Sequence, residues 1–81
     1  MKITIYGKPD CPYCLMAKDL GEVLEAQGKA EVEYIDLQEQ GIDRPALEAI
    51  TGRPAPTIPQ ILVNGQYLGG YTEMNKALGG I

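Results

Sequence analysis

There is no histidine anywhere in the 81 residues, and that absence removes several mechanisms at once. Neither a Ser–His nor a Cys–His nucleophile can be assembled. Two cysteines without a histidine leave one chain short of a four-ligand structural zinc site. Long apolar runs are missing too, none approaching the roughly 20 residues of a membrane-spanning helix. The apolar stretch within Met1 to Asp10 is too short for a secretory signal, so a cytoplasmic location is expected. Basic residues are scarce: seven Lys and Arg stand against eleven Asp and Glu, for a net charge of −4. That balance weighs against a nucleic-acid partner. What is present, 44% hydrophobic and 22% charged residues, fits a globular chain. The length predicts a single domain over 1–81.

The hydrophobic pattern alternates between strand and helix signals. Lys2 to Tyr6 is a short β-branched, alternating run and reads as a first strand. Gly7 to Asp10 is a loop of turn formers. A helical pattern starts at Pro12, whose missing N–H suits a first helical turn. Its expected apolar face carries Met16, Leu20, Val23 and Leu24, and Gly28 is the expected stop. Glu31 to Leu37 reads as a second strand, completing a βαβ unit with parallel strands. A short helix follows from about Arg44 to Thr51, with Asp43 as its N-cap, Pro45 in its first turn and Gly52 as its stop. After a proline-dense connector, Gln60 to Val63 and Tyr67-Leu68 flank Asn64-Gly65, a type I′ hairpin signal. Thr72 to Leu78 reads as a last helix, with Thr72 as its cap.

Both cysteines fall in one four-residue run, Cys11-Pro12-Tyr13-Cys14. A disulfide closing so short a loop adds only about 2 kcal/mol of chain-entropy stabilisation, which argues against a purely structural purpose. At the N-terminus of a helix, unpaired N–H groups and the helix dipole favour an anion, so a thiolate at Cys11 is expected. Lys8 adds positive charge nearby and Asp10 opposes it. Residues three apart share a helix face, which places Cys11 at the helix tip and Cys14 one turn in and more covered. That asymmetry suits an attacking thiolate and a resolving thiol. The alternatives are a buried structural pair, or half of a metal site completed by a second chain. The βαβ context, the lack of other ligands and the helix-opening proline favour redox chemistry.

Three further signals are weaker. Tyr13, in the exposed middle of the motif, is either a spectator or a flat wall beside the sulfur. Only about 5–6% of X–Pro bonds in folded proteins are cis, so the residues alone predict a trans Ile58–Pro59 bond. Gly69-Gly70 ahead of a helix is a turn, or a place where backbone approaches a carboxylate at a helix N-terminus.

Taken together, Cys-Pro-Tyr-Cys at 11–14, Ala-Lys-Asp-Leu at 17–20, Thr-Ile-Pro-Gln at 57–60 and Gly-Gly-Tyr-Thr at 69–72 resemble the glutaredoxins, over nearly the whole chain. The nearest likeness is to the small bacterial dithiol members that donate electrons to ribonucleotide reductase. The resemblance implies an α/β, thioredoxin-like fold, with a four-stranded mixed sheet ordered 2-1-3-4 and three helices. It also implies a cis Pro59, against the expectation from the residues alone. It further implies a glutathione-dependent thiol–disulfide oxidoreductase with Cys11 and Cys14 as catalytic residues. The glutathione site would comprise Lys8, Tyr13, Thr57, Ile58, Pro59, Gly70, Tyr71 and Thr72. Glutathione would be a co-substrate, with no permanently bound cofactor and no metal, and the protein would act as a monomer. In this reading the γ-glutamyl carboxylate lies near Gly70 to Thr72 and the glycyl carboxylate near Lys8.

Two departures from the family pattern stand out. Many glutaredoxins carry an Asp after the Gly-Gly turn to meet the glutathione amino group. Here Tyr71-Thr72-Glu73 occupies that stretch, so Thr72 or Glu73 must substitute. Many also carry Arg or Gln near the second helix, a role Arg53 could fill. A thioredoxin is disfavoured, because there is no tryptophan before the motif and Pro12-Tyr13 replaces Gly-Pro. Two rivals share the same shape: a redoxin reduced by thioredoxin reductase, and an iron–sulfur carrier with one cluster between two Cys11 residues. Pro12 weighs against the carrier, which usually has a smaller residue there.

Overall fold

The computed structural model describes residues 1–79, so the last two positions of the expected 1–81 domain lie outside the described residues. Seven elements follow in the order β1 (Lys2–Gly7), α1 (Pro12–Ala26), β2 (Glu31–Asp36), α2 (Arg44–Thr51), β3 (Gln60–Val63), β4 (Gln66–Gly69) and α3 (Tyr71–Leu78). The four strands form one mixed sheet ordered β2-β1-β3-β4. β1 runs parallel to β2, with Ile5 opposite Tyr34 and Gly7 opposite Asp36. β3 is antiparallel to both β1 and β4. This is the thioredoxin-like arrangement expected from the sequence.

Strand alternation sends successive side chains to opposite faces, and each face has its own core. Ile3, Ile5 and Ile61 pack with Ala17 and Leu24 of α1 and Met74 of α3. Tyr6 and Leu62 face the other way and pack with Leu37, Ala55 and Leu47 of α2. The sheet is therefore covered by α1 and α3 on one side and by α2 on the other. Full burial of an aliphatic side chain such as Leu24 contributes about 1.5–3 kcal/mol.

The local chemistry of α2 matches the sequence reading. Asp43 accepts a hydrogen bond from the Ala46 N–H at 2.9 Å, and Gly52 closes the helix at φ 73°. The hairpin matches as well, with Asn64 and Gly65 both at positive φ (52° and 80°), as a type I′ turn requires. Asn64 also ties the hairpin to the first strand, because its Oδ1 accepts from the Lys2 N–H at 2.9 Å.

Two expectations are corrected. The buried face of α1 is Cys14, Ala17, Gly21 and Leu24, whereas Met16 and Val23 stand in solvent and Leu20 is half-buried. Small residues win because α1 lies close to the sheet: a Cβ on Gly21 would stand 2.9 Å from Val32 Cγ1. Thr72 does not cap α3. Gly70 is the N-cap, and the Glu73 carboxylate accepts its N–H at 2.8 Å.

Candidate active site

The C-terminal end of β1 delivers the chain to Cys11 at the start of α1. Cys11 is the N-cap, in extended conformation, and its Sγ accepts the Cys14 N–H at 3.2 Å. An N-cap side chain normally satisfies one orphan N–H in this way. Here the acceptor is sulfur, with a backbone donor aimed at it. Across the gap, Cys11 Sγ makes a long contact of 3.9 Å to the Ile58 carbonyl. Both cysteines are free thiols.

Cys14 sits one turn further in and is fully buried. Burial is the main reason its thiol is pushed up to about 12, with the neighbouring Cys11 sulfur adding to the shift. The Lys8 backbone and the Tyr34 hydroxyl pull the other way. Gly7 makes this packing possible, since a Cβ there would stand 2.6 Å from Tyr34 Oη and 2.9 Å from Cys14 Sγ. Tyr34 Oη donates to the Lys8 carbonyl at 3.1 Å, and burial pushes its phenol up to about 12 as well.

A cleft of about 240 Å³ opens beside Cys11. Tyr13, Thr57, Ile58, Pro59, Gly70, Tyr71, Thr72 and Glu73 line it. These are seven of the eight expected binding residues together with Glu73; the eighth, Lys8, lies elsewhere. The rings of Tyr13 and Tyr71 are tilted 37° with centroids 6.2 Å apart, so Tyr13 forms a wall of the cleft. The Ile58–Pro59 bond is cis, as the resemblance implied and the residues alone did not. Behind Pro59, the buried Gln60 donates from Nε2 to the Thr57 carbonyl and so holds the segment in place.

Lys8 lies on the other side of Thr57 and Ile58. It lines a second cleft of about 270 Å³ with Asp43, Arg44, Leu47 and Ala55. Arg53 is not part of it; its guanidinium stacks on Tyr67, 4.6 Å from the ring centroid. Arg44, which the sequence reading treated only as a helix start, is the arginine that reaches this cleft. Its Nε lies 3.6 Å from a Glu48 carboxylate oxygen, with most of the side chain exposed. The signal was its place at the first turn of α2, next to a cap. A larger depression of about 570 Å³ runs beside β2 between Leu15, Lys18 and Ile50, and neither cysteine lines it. Among the described residues there is no cluster of three or more His, Cys, Asp or Glu suited to a metal ion. No described helix is long and apolar enough to cross a membrane.

A half-buried helix-tip thiol, a buried partner thiol one turn away and the Thr57–Pro59 loop facing the first of them define a dithiol redox protein of the thioredoxin-like class. The glutaredoxin family profile matches residues 3–68. Glutaredoxin 1 of Escherichia coli is 40% identical over 74 residues, covering 90% of this chain and 87% of that one. The Haemophilus influenzae glutaredoxin is 36% identical over 79 residues, covering 96% and 91%. Among solved structures, reduced Escherichia coli glutaredoxin superposes with a TM-score of 0.87 at 37% identity, over 99% of this chain and 95% of that one. A buckwheat glutaredoxin–glutathione complex gives 0.66 at 26% identity, over 96% and 69%. The chain belongs to the glutaredoxin family, and it is a thiol–disulfide oxidoreductase.

Proposed function

We propose that the reductant is glutathione and that the two cysteines divide the reaction between them. The observation that carries this reading is the cleft between Thr57–Pro59 and Gly70–Thr72, one wall of which, Ile58, is in contact with Cys11 Sγ. Cys11, as a thiolate, attacks a substrate disulfide, forms a mixed disulfide and releases one substrate thiolate. Cys14 then attacks Cys11 Sγ, closes the Cys11–Cys14 disulfide and releases the second substrate thiolate. Two glutathione molecules restore the dithiol and leave as glutathione disulfide. When the substrate is itself a glutathione mixed disulfide, Cys11 and one further glutathione suffice.

Bound glutathione would extend along Thr57–Pro59, with the Ile58 backbone pairing to it as to an added strand. Tyr13 and Tyr71 would flank its cysteine, and the γ-glutamyl carboxylate would meet the N-terminal turn of α3 at Gly70 to Thr72. Glu73 Oε1 accepts the Gly70 N–H, and Thr72 or the second Glu73 carboxylate oxygen would meet the ligand amino nitrogen. Lys8 and Arg44 would share the glycyl carboxylate from the second cleft. That the buckwheat relative was solved as a glutathione complex supports glutathione as the ligand. No resident cofactor or metal takes part, and the protein acts as a monomeric single domain in the cytoplasm. Ribonucleotide reductase and comparable disulfide-forming enzymes are its proposed protein substrates, as the resemblance to the small bacterial dithiol glutaredoxins implies.

The test compares turnover of a protein disulfide with glutathione plus glutathione reductase against turnover with thioredoxin reductase. Efficient turnover in the first arm alone is expected. Turnover in the second arm alone would refute glutathione as the reductant while leaving the oxidoreductase chemistry intact.

A further inference from the structure

The resolving step asks something of Cys14 that its surroundings resist. Its sulfur is fully buried, yet it must act as an anion to attack. By then Cys11 is tied up in the mixed disulfide and cannot share a proton with it. The chain has no histidine to help. A side chain that approaches the sulfur from outside the motif is Tyr34, from the middle of β2. Tyr34 Oη and Cys14 Sγ both lie within 3 Å of the point where a Gly7 Cβ would stand. The bare Gly7 backbone therefore leaves room for both. The phenol is anchored there by donating to the Lys8 carbonyl at 3.1 Å, and its ring carries the Lys18 ammonium 5.2 Å from the centroid.

We propose that Tyr34 serves the resolving step, its hydroxyl turning from the Lys8 carbonyl to donate a hydrogen bond to Cys14 Sγ as that sulfur becomes an anion. This rests on the dithiol reading above and adds a residue to it. The bond that forms is Cys14 Sγ–Cys11 Sγ, and the bond that breaks joins Cys11 Sγ to the substrate sulfur. The substrate leaves as a thiolate and takes up the proton that Cys14 gave away. The cysteine pair is oxidised and the substrate reduced, and Tyr34 keeps its own proton throughout. The charged and titratable groups facing the phenol are Cys11, Cys14 and Lys18 from α1 and its cap, and Asp36 from β2 itself. The phenol is protonated at neutral pH, as a donor must be, and burial raises it further.

The experiment follows closure of the Cys11–Cys14 disulfide in a single turnover with a disulfide-bonded peptide, across pH, for wild type and Tyr34→Phe. A hydrogen bond to a charged group accounts for about a tenfold rate difference or somewhat more. Closure in Tyr34→Phe is therefore expected to slow about tenfold, with its pH profile displaced upward. The effect should vanish in a Cys14→Ser background assayed on glutathione mixed disulfides, because Tyr34 acts on Cys14. Replacing Tyr34 with a ring-fluorinated tyrosine, a more acidic donor of similar shape, should shift the profile downward and does not depend on Tyr34→Phe folding well. An unchanged closure rate, or an equal loss with and without Cys14, would overturn the role. If wild type never closes the Cys11–Cys14 disulfide, the dithiol reading falls and this role falls with it.

Discussion

Cys11 and Cys14 are separated by only two residues in sequence and occupy different kinds of surroundings. Around Cys11 the neighbours are backbone and open surface: the Cys14 N–H, the Ile58 carbonyl and a cleft walled by Tyr13 and Tyr71. Around Cys14 they are the closed end of β1 at Gly7 and the Tyr34 phenol reaching over from β2. The first environment can admit a substrate and solvate a charge with a backbone donor. The second excludes substrate and holds a thiol neutral until a disulfide arrives beside it. A single helical turn produces the contrast, because Cys11 is the extended cap at the helix tip while Cys14 lies one turn in, on the buried face of α1.

The sharpest way to break the contrast is to remove each sulfur in turn. Cys11→Ser is expected to abolish reduction of both protein disulfides and glutathione mixed disulfides, a loss of ~10³-fold or more. Cys14→Ser should lose the protein substrate and keep the mixed disulfide. Parallel assays on the two substrates decide it. Full activity of Cys14→Ser on protein disulfides would mean that the buried thiol does not resolve.

Gly7→Ala is the next largest perturbation, and it strikes the Cys14 side alone. The new methyl group would collide with Tyr34 Oη and with Cys14 Cβ and Sγ. Crowding of this kind costs about 1–3 kcal/mol, and each kcal/mol lowers the melting point of a domain this small by roughly 4–8 °C. A thermal melt of the reduced protein measures it. A melt identical to wild type would show that the Gly7 gap is wider than its neighbours indicate.

Alkali should report on the buried sulfur of Cys14. The folded Cys14 thiol is raised from 9.0 to about 12, so the native state holds a proton that the unfolded chain gives up first. Its contribution to stability is therefore complete below about pH 9 and is lost as pH rises towards 12. The reduced protein should destabilise across that window more steeply than Cys14→Ser, as read from denaturant midpoints at successive pH values. Equal slopes would place the Cys14 thiol in a wetter environment than its burial indicates.

How much of this contrast the sequence could express depends on the range of the physics involved. The Asn64-Gly65 turn and the Asp43, Pro45 and Gly52 boundaries of α2 were legible, because backbone dihedrals and caps are set by residues within a few positions. The buried face of α1 was not. Counting apolar side chains selected Met16 and Val23, whereas close approach to β2 selected Ala17 and Gly21 for their small size. The cis bond at Pro59 was visible only through family resemblance, since nothing local sets it apart from other X–Pro bonds. Tyr34 and Arg44 escaped because their importance comes from tertiary register. Tyr34 comes near Cys14 because β2 lies parallel beside β1, and Arg44 lines one cleft with Lys8 only once α2 has folded back over the sheet.

The smallest expected effect sharpens the Cys11 side. Tyr13 is 60% exposed, and its ring contributes to the cleft wall opposite Tyr71 without entering either core. Tyr13→Ala should leave the melting point nearly unchanged, because exposed substitutions away from caps and cores shift stability by within about 0.5 kcal/mol. If the wall contacts a bound glutathione moiety, KM for a glutathione mixed disulfide should rise roughly 2- to 10-fold, the range expected for one lost aromatic contact. The rate at saturating substrate should hardly move, because the sulfur and its backbone donor remain in place. A change in kcat with KM constant would instead make Tyr13 part of the chemistry at Cys11. The division between an open binding side and a closed resolving side would then have to be drawn inside the motif itself, between Tyr13 and Cys14.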